Sequence, residues 1–154
     1  MNLNAPTEIF NEVKESFLNI NPEYIDEKIR DIVMRFKNMP FFDKVCPRWS
    51  CQSHDIENSE FYIIFVTQDN GPEILYKMYE NLYSEFIEAY GVTYMAGNNF
   101  TVIPLLHTSG GNNCSKPFPN IQISTKTNGS ETHINKCIDI WNKVLDNLEK
   151  DNYE

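Results

Sequence analysis

Three side chains near the middle of the sequence, Cys46, Cys51 and His54, are of the types that bind zinc, and Cys114 or His107 would supply a fourth ligand. The spacing argues against such a site. Structural zinc sites draw on tight Cys-x2-Cys knuckles or their equivalents, and this chain contains none. Cys114 with His107 or His133 has the composition of a cysteine hydrolase, because a thiolate beside an imidazole is a competent nucleophile. Nothing in the pattern orients the pair: His133 falls in the first turn of a helix and His107 ends a strand. No metal and no catalytic residue is therefore expected, and the cysteines are read as reduced thiols, with Cys137 on the core side of its helix. Trp49 and Trp141 read as core or pocket-wall residues.

The formal charge of −9 disfavours a nucleic-acid partner, which needs clustered Lys and Arg to displace phosphate counterions. The opening residues Met1 to Pro6 have neither the basic nor the apolar region of a secretory signal. No run approaches the roughly 18 apolar residues that cross a bilayer, so no membrane association is expected and the compartment expected is cytoplasmic. At 154 residues, 41% hydrophobic and 13% aromatic, the chain suits one domain with a substantial core. We read residues 1–154 as that domain, with 1–20 as an N-terminal helical segment.

The elements that must position any site follow from periodicity. Phe61 to Val66 is an unbroken aromatic and β-branched run, the pattern of a strand covered on both faces. Asp69-Asn70-Gly71-Pro72 turns the chain into a helix whose apolar positions include Ile74, Leu75, Met78, Leu82 and Phe86, with Gly91 ending it at positive φ. Upstream, Thr7 is expected to cap a short amphipathic helix, and Asn21-Pro22-Glu23 to open a second running to Asn38. Val45 to Gln52 reads as a strand interrupted by Pro47. Downstream, Val92 to Met95 and Phe100 to Leu106 are read as strands about a turn. His107 to Asn120 is read as a long loop and Ile121 to Thr125 as an alternating strand. A last helix carries Ile134, Cys137 or Ile138, Trp141, Leu145 and Leu148 at regular spacing. No internal repeat is visible. The order α-α-β-α-β-β-α implies an α/β fold of the α+β two-layer sandwich type, a small mixed sheet of about four strands against helices.

Residues 60–150, and more loosely the helix from Pro22, resemble the small C-terminal domain of aminotransferase-like, fold-type I pyridoxal-phosphate enzymes. The order of short motifs carries the likeness: Phe61-Tyr62, the helix to Tyr90, Gly91-Val92, Ala96-Gly97-Asn98-Asn99-Phe100, Ile121-Gln122-Ile123-Ser124, a polar bend and the long last helix. The resemblance implies a substrate-facing surface at Asn98, Asn99, His107 and Gln122. It also implies departures from the family. The strand Arg that clamps a substrate carboxylate is Gln122 here, so a fixed bidentate cation is replaced by a neutral amide suited to a neutral or amide-bearing ligand. The cofactor lysine belongs to a large domain that this chain does not contain. No cofactor is expected on this chain, and pyridoxal phosphate would act only through a separate large-domain partner.

Two functional readings follow. In one, the chain is a detached or degenerate aminotransferase-like small domain that closes over a substrate held by that large domain. In the other, it is a small acidic binding protein of the immunity or inhibitor type, which neutralises a basic protein partner through exposed carboxylates and the Gly-rich loop around Gly110-Gly111.

Overall fold

In the computed structural model, residues 2–52, 60–91, 100–107, 117–126 and 131–151 are described. They form helices α1 (Thr7–Leu18), α2 (Arg30–Arg35), α3 (Gly71–Tyr90) and α4 (Glu131–Glu149), and strands β1 (Val45–Gln52), β2 (Glu60–Thr67), β3 (Phe100–His107) and β4 (Phe118–Lys126). The strands make one sheet in the order β1-β2-β4-β3. This is the α+β sandwich that the periodicities imply. The strand read at Val45 to Gln52 is present as β1, and its ladder slips between Pro47 and Trp49, a bulge at the proline. The strand expected at Val92 to Met95 lies outside the described residues. The loop read from His107 to Asn120 is shorter at both ends, since His107 closes β3 and Phe118 to Asn120 open β4.

Every strand pair is antiparallel, where a mixed sheet was expected. The α3 crossover does set β2 and β3 parallel to one another, but β4 enters between them and pairs antiparallel with both. The result has a two-fold character that the residues do not advertise. Each strand pair, β1-β2 and β3-β4, is followed by a long helix, and the two units meet at the β2-β4 ladder centred on Ile63 and Ile123. Topology repeats here without sequence repetition, because each half needs only apolar residues of the right period.

On one face of the sheet Phe61, Ile63 and Phe65 lie beside their ladder partners Thr125, Ile123 and Ile121. Phe61 stacks on Trp141 of α4 with ring centroids 5.6 Å apart, and Phe65 meets Phe36 edge-on at 5.2 Å. Helices α3 and α4 run antiparallel over this face. Tyr90 Oη lies 3.0 Å from His133 Nδ1 at one end of the seam, Lys143 Nζ is 2.8 Å from Glu85 further along it, and Lys77 pairs with Asp151 beyond. Arg35, just before Phe36, donates to the Asn142 carbonyl and pairs with Asp146 and Glu149, tying α2 to α4. The expected stripe of α4 is buried at Ile134, Cys137, Trp141, Leu145 and Leu148; Ile140 and Val144 join it, and Ile138 is half-buried.

Two local expectations change. Pro22 to Asn38 is not one helix: it breaks at Ile25, whose extended backbone presents its carbonyl to the Nε and Nη2 donors of Arg30 at 3.2 and 3.1 Å. The break buries Ile25 and leaves Tyr24 outside. Asn21 does cap the first short turn, accepting from the Glu23 amide. Thr7 does not cap α1. It is already helical, and its hydroxyl donates to the Gln68 side chain at 3.1 Å.

Candidate binding groove

Side chains alternate along a strand, so the reverse face of the sheet carries Cys46, Trp49, Ile64, Val66, Phe118, Asn120, Gln122 and Ser124. Among the described residues one helix, α1, lies against this face, over β1. It is anchored by the buried Ile9, Phe10 and Phe17, with Phe17 edge-on to Phe42 at 5.6 Å. Its start is fixed by an extended lead that docks on the end of β2: the Ala5 amide donates to the Thr67 carbonyl at 3.0 Å, and Thr67 Oγ1 lies 2.8 Å from Asn4 Oδ1.

Between α1 and β1 runs a groove of about 260 Å³, lined by Ile9, Glu12, Val13, Ser16, Phe17, Ile20, Pro47, Arg48 and Trp49. Its helical lining recurs at three- and four-residue steps, the face α1 turns to the sheet. Trp49 forms the far wall and remains 46% exposed, unusually open for a tryptophan. The bulge after Pro47 sets Arg48 beside it. The Arg48 guanidinium lies 4.2 Å from the Trp49 ring centroid and 5.7 Å from that of Phe118, and Nη1 donates to Asn120 Oδ1 at 3.1 Å. Partial burial pulls the Arg48 guanidinium below its ordinary pKa. The rim on the α1 side is acidic, with Glu8, Glu12 and Glu15 all exposed.

Of the residues singled out by the sequence, Trp49 lines the groove and Gln122 does not. Gln122 sits half-buried in the central strand β4, and its Nε2 donates to Ser124 Oγ at 2.6 Å. The backbone of His107 pairs with Phe118 at the end of β3, while Asn98 and Asn99 lie outside the described residues, as do His54 and Cys114. Of the substrate face that the resemblance implies, the described residues thus include Gln122 and the backbone of His107. Among the described residues no group of three His, Cys, Asp or Glu could hold a metal ion, and no helix is long and apolar enough to cross a membrane. Burial pushes the Cys46 thiol up to about 12, despite the nearby Lys14 charge, and pushes Cys137 up to about 12 despite its contact with Thr125 Oγ1. Neither thiol is a nucleophile at neutral pH.

The groove itself was missed by sequence reading. Ser16 and Glu12 look like ordinary solvent positions of an amphipathic helix, and the one available sign was a tryptophan next to an arginine in a strand interrupted by proline. No protein-family model, no curated protein and no solved structure matches the chain.

Proposed function

We propose that this chain is a small acidic binding protein that neutralises a basic protein partner, and that it docks through the α1 side of the sheet. The observation that carries the reading is the α1-β1 groove, a trough of mixed apolar and polar lining with an exposed tryptophan wall and Glu12 on its α1 side, the helix on which Glu8 and Glu15 are also exposed. Trp and Tyr anchors beside charged rims are the usual makings of a protein interface. The net charge of −9 adds long-range attraction for a cationic partner and speeds its encounter. Strand addition is the less suitable docking mode, because each outer strand of the sheet carries a proline, Pro47 in β1 and Pro104 in β3. The partner is thus held by side chains rather than by a shared ladder. The aminotransferase-like reading gains no comparable support, as Gln122 is engaged with Ser124.

The test is calorimetric titration of the protein with a twelve-residue peptide of alternating leucine and arginine, against a leucine-glutamate control, at low and high salt. Saturable binding of the cationic peptide that weakens with salt, and that is lost in the triple variant Glu8→Gln, Glu12→Gln, Glu15→Gln, is the expected result. Equal binding by the triple variant, or no binding at all, would remove the proposal.

A further inference from the structure

Resting on that reading, we infer that the α1-β1 groove is a receptor for one long cationic side chain, an arginine or lysine presented by the partner, with its stem on the apolar walls and its head at Glu12. Size is the first argument. Sites that enclose a small molecule or cofactor occupy roughly 300 to 1,000 Å³, and the groove, at about 260 Å³, falls below that range. It suits a single protruding side chain. Chemistry is the second. The walls formed by Val13, Phe17, Ile20 and Trp49 offer apolar and aromatic contact along the trough, whereas Glu12 and Ser16 bring a carboxylate and a hydroxyl to one side of it. An apolar body with a polar tip of positive charge is what Lys and Arg side chains present, and they favour surfaces that are greasy below and charged above.

The position of Arg48 fixes the direction of the guest. Its guanidinium is held over the aromatic rings of Trp49 and Phe118 and bonded to buried Asn120, so the positive charge inside the site lies at the β1 wall. A second cation entering there would meet repulsion, so the guest's head points to the α1 wall, where Glu8 and Glu15 extend the negative rim on either side of Glu12 along the helix. An anionic guest would have the opposite preference and would seek Arg48. The identity of the charge that enters therefore also reports which wall is used.

The experiment is an amide-resolved NMR titration of the ¹⁵N-labelled protein with four small probes: N-acetyl-arginine methylamide, N-acetyl-lysine methylamide, N-acetyl-norleucine methylamide and N-acetyl-glutamate methylamide. The expected result is saturable shifts confined to α1, β1 and the Trp49 indole, with the two cations binding more tightly than norleucine and glutamate least of all. Glu12→Gln should weaken the cations about two- to fivefold and leave norleucine unchanged, the size expected of one exposed ion pair. Ser16→Phe, at an exposed helix position, should fill the trough and abolish binding of all four without unfolding the protein. Cations bound no better than norleucine would overturn the cationic guest. Preference for glutamate would transfer the site to Arg48, and shifts centred outside α1 and β1 would remove the groove from consideration. If the leucine-arginine peptide binds and needs Glu8 and Glu15 while Ser16→Phe binds it normally, the acidic binding protein stands and this inference falls.

Discussion

Trp141 and Trp49 lie on opposite faces of one sheet, and they differ in every respect that burial controls. Trp141 is 0% exposed, stacked on Phe61 and enclosed by the layer of α2, α4 and α3; Trp49 is 46% exposed, on the face where α1 is the one helix among the described residues. The closed face has enough helix to bury a complete apolar surface. The α1 face buries Val66, Phe118 and Asn120 as well, but leaves Trp49 open at the edge strand β1, beside the groove. A stability core and the proposed binding groove thus lie on opposite faces of the same sheet. The difference has a cost on the closed side as well, since the indole Nε1 of Trp141 has no hydrogen-bond partner among the described residues.

The comparison can be broken most sharply at Trp141. Trp141→Ala should lower the unfolding free energy by about 3 to 5 kcal/mol in denaturant titration, the range for emptying a large core site. Trp141→Phe should cost much less, because it removes the unpaired N–H along with the lost contact. A loss of only a few tenths for the alanine variant would mean that the closed face is not closed.

A somewhat smaller effect is expected at the corner where β2 turns into α3. There a Cβ on Gly71 would stand 2.3 Å from the Lys44 carbonyl oxygen and 2.7 Å from Thr67 Cβ, both rigidly held. Gly71→Ala should destabilise by about 1 to 3 kcal/mol, as overpacking does. A neutral result would show that the corner relaxes freely.

Two buried thiols among the described residues sharpen the contrast, one on each side of the sheet: Cys137 on the closed face and Cys46 on the α1 face. Both have folded pKa values raised from 9.0 to about 12, so burial favours their neutral forms. Their contribution to stability is complete below the unfolded value and is lost as pH rises from about 9 to about 12. At pH 10 the loss should be roughly 1 kcal/mol per thiol, and it should vanish for whichever cysteine is replaced by alanine. Native-state labelling read by mass spectrometry should reach Cys46 before Cys137, since one helix opens at less cost than a packed layer. The reverse order would make α1 the firmer element. The smallest effect is expected for Trp49→Ala, which should change stability by less than about 1 kcal/mol in the same denaturant titration while weakening the leucine-arginine peptide about tenfold or more.

Much of the framework was legible before the structure. The six-residue run of β2, the Asp69 to Pro72 turn, the α3 positions Ile74, Leu75, Met78, Leu82 and Phe86, and the α4 positions from Ile134 to Leu148 all reflect short-range periodicity, and all five of those α3 residues are buried. Pro22 to Asn38 misled because its apolar spacing fits a continuous helix as well as the broken one. The choice was made by Arg30 bonding back to Ile25 and by the burial of Ile25 beneath it. The candidate site was hardly legible at all. Gln122 stands out through a motif order, and its amide is bonded to Ser124; Trp49, readable as a core or pocket-wall residue, does line the groove, while Glu12 and Ser16 carry no pattern that separates them from ordinary surface residues.

What the sequence determined by itself was local: where helices and strands form, which side of each is apolar, that the charge is −9, and that no compact metal knuckle exists. Those properties depend on neighbours within a few residues. The tertiary structure decided the rest: that β4 inserts between β2 and β3, that among the described residues three helices share one face while α1 lies on the other, and that Trp141 is enclosed where Trp49 is not. These outcomes depend on contacts between residues far apart in the chain, where two segments of equal apolar character compete for one surface, and periodicity gives no means of saying which of them reaches it first.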